Sequence, residues 1–476
     1  MQNLLALSLN GNKVVLDSTL LDEFKNNLRG HLVTPHDDNY SEVRKVWNAM
    51  IDRRPALIVR CAGAADVMQA VKFARQHNLL TTTRGGGHNV GGLSLCDDAM
   101  LIDLSLMNSV RVDEQNRRAR VGGGALWHEV DHETLAFGLA TTGGTVSDTG
   151  VAGLTLGGGL GWLMSLYGSS SDCLLSADVV LANGEMKTAS KTENEDLFWA
   201  IRGGGGNFGI VTSFEFQLYK MQERILGGMI LYPIERAKEV LQFYRDYASN
   251  APDELTAFSL LLSTPDGIPA IAIAVSWFGN LEDGEPYMRA LRTKVGEPMA
   301  DLIGQIPYKQ LQGLFDGAAA GNKLRRYWKS GYFEKVTDEM IDTILLYNEQ
   351  KPSPMSPVIF FHMHGAITRA NPAESAFPSR KMMWDFDIVS QWASKEDDEK
   401  NVQWTRNFWK AIEPHSEGVY SNHLAEDDAQ TRTKMAYGVN YQRLVEVKRK
   451  YDPDNFFRMN HNIVPSAPEL TSEVLS

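Results

Sequence analysis

The sequence predicts an α+β chain of two folding units, on three observations. Glycine is concentrated between Gly63 and Gly209, in clusters at 84–92, 121–124, 142–145, 156–161 and 202–209, four of them at the ends of strand-like runs. Within that stretch, apolar runs of strand period alternate with runs of helical period. From Met221 to Tyr420 glycine thins out, and Trp, Met and Phe become more common. The shift predicts a boundary near residue 220, followed by a sheet covered on one side by helices.

PALIVRC (55–61) is a short apolar, β-branched run and reads as a strand. AADVMQAVKFARQHN (64–78) places Val67, Ala70, Val71 and Ala74 on one helical face, with Asp66 as its expected N-terminal cap. TTTRGGG follows as a strand ending in a glycine turn. AMLIDLS (99–105) and RARVGGG (118–124) are further strands, and ALWHEVDHETLAFG (125–138) is a helix. SADVVLANG (176–184) and GIVTSFEFQL (209–218) are strands, the second alternating cleanly. Beyond residue 220, LGGMILYP, AIAIAVSWF, VIFFHMHGAIT and MMWDFDIVSQW are strand runs. ERAKEVLQFYRDYA and TDEMIDTILLYNE are amphipathic helices. NYQRLVEVKRKY is a last helix, stopped at Asp452-Pro453.

Composition narrows the function. The 476 residues carry 47 Lys+Arg against 59 Asp+Glu, a formal charge of −12, which disfavours binding to a phosphate backbone. No apolar run is long enough for a membrane span, and the N-terminal apolar patch lacks the basic flank of a secretory signal. Cys61, Cys96 and Cys173 are scattered and odd in number. They fit neither a disulfide framework nor a zinc ribbon, so a reducing, cytoplasmic setting is expected.

Several motifs carry chemistry. Gly204–Gly209 satisfies G-x-G-x-x-G, but a helical run precedes it and a strand follows. This inverts the order that a dinucleotide fingerprint needs. His128 and His132 frame an H-E-x-x-H on a helix, with Glu129 as the base of a possible zinc hydrolase; no third ligand follows in sequence. His362 and His364 sit two apart on a strand, on one face, where they could line a pocket. The glycine clusters are the most informative: exposed N–H groups at several strand ends could wrap the pyrophosphate of one large cofactor.

Arg84-Gly85-Gly86-Gly87-His88-Asn89-Val90-Gly91-Gly92 is followed by LATTGGTVSDTGVAGLTLGGGLGWLMSLYG (139–168), NEDLFWAIRGGGGNFGIVTSFEF (194–216) and NYQRLVEVKRKYDPDNFFRMNHNI (440–463). These stretches, in this order, resemble the FAD-linked oxidases of the vanillyl-alcohol oxidase superfamily, and more narrowly the berberine-bridge-enzyme-like branch. The resemblance implies a PCMH-type FAD domain of two α/β subdomains, built from residues 1–220 and 416–476. Residues 221–415 would form a substrate domain with an antiparallel sheet. It implies FAD bound through a single covalent linkage at His88. The second linkage of bicovalent members is absent, because Gly144-Thr145-Val146-Ser147 stands where they have G-T-C-P. Carried over by motif, the cofactor would be held by Arg84, Gly85, Gly86, Gly87, Asn89, Gly91, Gly144, Thr145, Thr149, Gly150, Gly153, Gly157, Gly158, Gly161, Gly209, Ile210, Val211, Asn460 and Asn462. Gly144 would leave room for molecular oxygen, with Thr149 at a position usually held by Val or Ile.

The same resemblance implies an oxidase that takes a hydride from a hydroxyl- or amine-bearing small molecule and passes electrons to O₂, giving H₂O₂. Tyr420-Ser421-Asn422-His423 stands where plant members have Tyr-x-Asn-Tyr, so His423 is expected as the base. An imidazole of ordinary pKa, ~6.5, would serve at neutral pH. Asp385 would orient it, with Tyr420 alongside. His362, His364 and Trp384 would line the substrate pocket, and the aromatic residues Trp277, Phe360 and Phe361 favour a planar or apolar substrate. The rival readings are the zinc hydrolase and a flavin-carrying binding protein without turnover.

Overall fold

Four strands near the N-terminus form one small sheet in the order His31–Val33, Leu57–Arg60, Met100–Asp103, Thr81–Arg84. The last three are parallel, and His31–Val33 adds antiparallel at the edge. This is a computed structural model; it describes residues 2–465 except 426 and 429. Met1 and residues 466–476, the ends of the expected FAD unit, lie outside the described residues. Helix Ala64–Gln76 buries Val67, Ala70, Val71 and Ala74 against this sheet. Asp66 does not cap it. Gly63 is the cap residue, and Asp66, already inside the first turn, turns its carboxylate back to accept from the N–H groups of Arg29, Gly30 and Ala62.

A second, five-stranded sheet runs Met186–Ser190, Leu174–Val180, Ile210–Gln217, Arg118–Gly122, Val110–Asp113, antiparallel throughout. Its core includes residues of helices Trp127–Leu135, Glu195–Ile201 and Tyr441–Tyr451. The last of these comes from the C-terminal segment, which is tied to the N-terminal unit by one buried cation. Lys448 Nζ, fully buried, donates to Asp452 Oδ2 (2.6 Å), Asn207 O (2.7 Å) and Phe457 O (3.0 Å).

The central unit is an eight-stranded antiparallel sheet. Its long strands lie in the order Ile225–Pro233, Pro269–Trp277, Leu255–Ser263, Val358–Met363, Met383–Trp392, Arg325–Phe333. Helices Ala237–Ser249, Asp338–Glu349 and Asp398–Ile412 pack into a core with one face of it. Successive side chains on a strand point to opposite faces, and the letters show it. In PAIAIAVSW, Ile271, Ile273 and Val275 join the helix-side core, and Ala270, Ala272 and Ala274 join the core on the other side. Register then sets rows across the uncovered face: Phe258 pairs with Phe361, Phe361 with Asp385, and Asp385 with Tyr332. The next row runs Leu260, Ile359, Asp387, Ser330.

Candidate active site

The uncovered face of the central sheet, the glycine loops of both N-terminal sheets and the segments 420–423 and 459–461 enclose one cavity of about 960 Å³. That is at the upper end for small-molecule sites, which run ~300–1,000 Å³. Its loop wall is made by close backbone approach. A Cβ at Gly86 would stand 2.4 Å from Gly150 Cα, so glycine at both positions lets the 85–89 loop lie directly on the start of helix Val151–Leu156. A side chain at Gly153 or Gly206 would meet no protein atom within 4 Å. Both line the cavity and leave it open.

Of the residues expected at a cofactor, Gly85, Gly86, Gly87, His88, Asn89, Gly144, Thr145, Thr149, Gly150, Gly153, Gly161, Gly209, Ile210, Val211 and Asn460 line this cavity. Others do not. Arg84 is buried behind the loop, in a two-bond pair with Asp103 (2.8 and 3.1 Å), where it props the turn. Gly91 and Asn462 are not in the lining, and Gly157 and Gly158 abut the side chains of Asn422 and Phe377 instead.

Polar atoms without partners point to a polar ligand. Asn460 Oδ1 and His461 Nε2 are buried in this wall with no hydrogen-bond partner among the described residues, and an unpaired buried polar group is costly. A glycine cradle with such atoms fits the cofactor that the sequence resemblance implies. His88 is held on two sides. Its Nε2 is 3.0 Å from Asp148 Oδ1, and its ring stacks on Trp47 at 4.1 Å. The Arg326 guanidinium lies 3.7 Å over Trp47 in turn. Asp148 and Trp47 were not anticipated from the sequence. The only signal was an acid in the loop 144–149, read there for its missing cysteine.

The second polar centre is on the strand Met383–Trp392. Asp387 Oδ1 is 2.8 Å from His423 Nδ1, and Asp385 Oδ2 is 3.7 Å from the same nitrogen. Asp387 and His423 line the cavity, whereas Asp385 is wholly buried behind them with neither oxygen hydrogen-bonded. Burial and the adjacent Asp387 charge push the Asp385 pKa well above the carboxylate range, so it is held neutral. Burial opposes charge on His423, but the Asp387 carboxylate outweighs it and the pKa is pushed up to about 9. The expectation of an ordinary imidazole is therefore corrected: His423 is an imidazolium at neutral pH. The Tyr420 hydroxyl oxygen accepts from Gly159 N and Asn422 Nδ2, both at 2.8 Å, while burial raises its pKa above the ordinary tyrosine value.

His362, His364 and Trp384 do not line the cavity. Trp384 neighbours Asp385 in sequence, so strand alternation puts it on the opposite face, in the helix-side core with Phe360 and Trp277. His362 shares that side, its Nδ1 at Ala248 O (3.1 Å), and His364 Nε2 is at Leu255 O (3.0 Å). Of Trp277, Phe360, Phe361 and Trp384, Phe361 alone lines the cavity. His128 and His132 are exposed. Glu129 is engaged by Leu126 N (2.8 Å) and Asn108 Nδ2 (2.6 Å), which leaves no base for a zinc site there.

Comparison with known proteins agrees with this geometry. Residues 55–190 match the model of an FAD binding domain, and residues 419–464 match the family described as berberine and berberine like. An FAD-linked oxidoreductase of Dictyostelium discoideum is 34% identical over 455 residues, covering 94% of this chain and 97% of that protein. The chain is an FAD-linked oxidoreductase of the berberine-bridge-enzyme-like branch. Within this family, (R)-6-hydroxynicotine oxidase of Paenarthrobacter nicotinovorans is 29% identical over 92% of this chain and 97% of its own length. The crystal structure of 6-hydroxy-D-nicotine oxidase from Arthrobacter nicotinovorans superposes with a TM-score of 0.84 at 28% identity, covering 92% and 98% of the two chains. Glucooligosaccharide oxidase of Sarocladium strictum is 28% identical over 88% of this chain and 89% of its own. No helix among the described residues is long and apolar enough to cross a membrane.

Proposed function

We propose that the protein is an FAD-dependent oxidase acting on a hydroxyl- or amine-bearing small molecule, with molecular oxygen as electron acceptor and H₂O₂ as product. The observation that carries the reading is the Asp387–His423 ion pair, set on the wall of the same cavity as the glycine cradle and His88. When bound, FAD supplies a hydride acceptor that oxygen can reoxidise. The chain supplies the rest.

His88 is the residue for a covalent bond to the cofactor. Asp148 occupies its Nε2, so Nδ1 is the nitrogen left for that bond. Asp387 takes the proton of the substrate hydroxyl or amine, because it is the carboxylate that reaches the cavity and it stands 2.8 Å from His423, which orients it. His423, as the imidazolium, orients Asp387 and balances its charge. Neutral Asp385 sits behind both and adds no second negative charge. Tyr420 is fixed in the wall by the two donors on its oxygen, and burial, which outweighs them, keeps its phenol protonated, so it does not accept the proton.

The test is a screen of alcohols and amines mixed anaerobically with the purified protein, followed by admission of air. Bleaching of the flavin band, then its return with one H₂O₂ per turnover, is the expected result. A protein without flavin, or a reduced flavin that persists in air, would overturn the oxidase reading.

A further inference from the structure

The uncovered face of the central sheet gives the cavity Met229, Leu231, Phe258, Leu260, Ile359 and Phe361. Phe258 and Phe361 have ring centroids 5.2 Å apart, and Phe315 stands across Phe258 at 6.3 Å. Arg326 on this sheet face is turned to Gln391 and Trp47. Of the sheet residues that line the cavity, Asp387 is the one with an ionisable side chain, with His423 beside it. Farther along the same strand, Gln391 is already engaged: Nε2 donates to Met355 O (2.6 Å), and Oε1 accepts from Arg326 Nε (3.3 Å). Thr264, at the far end, accepts Ile268 N at 3.1 Å, which leaves Ser263 as the one hydroxyl there without a partner.

We propose that this wall selects a flat, largely apolar substrate with a single hydrogen-bonding group, placed at the Asp387–His423 edge, and excludes carbohydrates. The inference rests on the oxidase reading above and goes beyond it. Family likeness does not choose, since a nicotine oxidase and a glucooligosaccharide oxidase are about equally similar to this chain. The wall does. A sugar presents hydroxyls around its whole rim. One or two would reach Asp387, His423 and, beside them, Trp328 Nε1, which is unpartnered among the described residues; the others would lie against Phe258, Leu260 and Phe361 with no partner. Each hydroxyl desolvated in that way weakens binding about tenfold or more. An aryl face instead meets rings and aliphatic side chains, and its one polar group meets the one polar edge.

The experiment titrates the flavoprotein anaerobically with 2-naphthylmethanol, 2-naphthylmethylamine, glucose and cellobiose. Perturbation of the flavin absorbance reads binding, and bleaching reads turnover. Both naphthyl probes are expected to bind at least ~100-fold more tightly than either sugar, from two or more unpaired hydroxyls. Glucose or cellobiose binding within tenfold of the naphthyl probes, or no perturbation by either naphthyl probe, overturns the proposal. Tight naphthyl binding without bleaching upholds the wall's selectivity while counting against the oxidase reading, so the two fail separately. Ile359→Thr, half-buried and hence tolerant of change, is expected to raise the naphthyl dissociation constants about tenfold at unchanged flavin content. An unchanged constant would show that this wall does not touch the substrate.

Discussion

Replacing His423 with glutamine keeps a hydrogen-bonding side chain beside Asp387 and removes its charge. The pKa of His423 is about 9. Against an ordinary ~6.5, that is about 3 kcal/mol of net preference for the imidazolium. Burial works in the other direction, so the attraction supplied by the carboxylates is larger still. Coupling is reciprocal: the imidazolium opposes the upward shift that burial imposes on the Asp385 carboxyl. Without it Asp387 loses the charged partner that orients its carboxylate on the cavity wall. With a non-ionising alcohol as substrate, flavin reduction at pH 7 should slow roughly 10–10²-fold. Anaerobic stopped-flow across pH 6–10 measures this, and reoxidation by oxygen should change far less. The wild-type rate should be nearly level from pH 7 to 9, because His423 keeps its proton over most of that range and is not the base. A wild-type rate rising tenfold per unit from pH 7 to 9 would refute the reasoning, since neutral imidazole would then be the base. Stability carries the same signature. The folded pKa of His423 is raised, so its contribution is complete below ~6.5 and is lost as pH rises through about 9. Thermal melts of the wild type should show that loss, and the glutamine variant should not.

Asp148→Asn should lower the fraction of flavin that stays with the polypeptide after acid precipitation, because the carboxylate beside His88 Nε2 makes Nδ1 the better nucleophile. Peptide mass spectrometry on the His88 peptide counts it, and an undiminished fraction would dissociate Asp148 from the linkage. His128→Ala should leave flavin reduction within twofold of wild type, since the side chain is exposed and its bond is to Ser147 O alone. A loss of turnover restored by zinc would contradict this. Lys448→Met should cost about 3–5 kcal/mol by leaving Asp452 buried without its cation. Chemical denaturation checks it, and a change below 1 kcal/mol would mean that the C-terminal helix is not pinned there.

The local patterns were legible because they need only neighbours in the chain. Alternation in GIVTSFEFQL and the helical face of 64–76 follow from residue period, and both form as read. The glycine clusters marked the cavity's loop wall, since backbone approach demands glycine wherever it occurs. Trp384 shows the limit. Period two separates it from Asp385, but which face is covered by helices and which meets the cavity depends on how Ala237–Ser249, Asp338–Glu349 and Asp398–Ile412 pack, and that is settled only when the sheet closes.

The sequence by itself determined the α+β class, the FAD-linked family and the loop that carries His88. Each of these is written in residues a few positions apart. The tertiary structure decided which carboxylate faces the cavity, and that His423 carries a proton at neutral pH. It also decided that Asp148, Trp47 and Arg326 converge behind His88. The reason is physical: charge, desolvation and stacking act through distances of a few ångströms between groups up to 279 residues apart, and only the folded chain sets those distances.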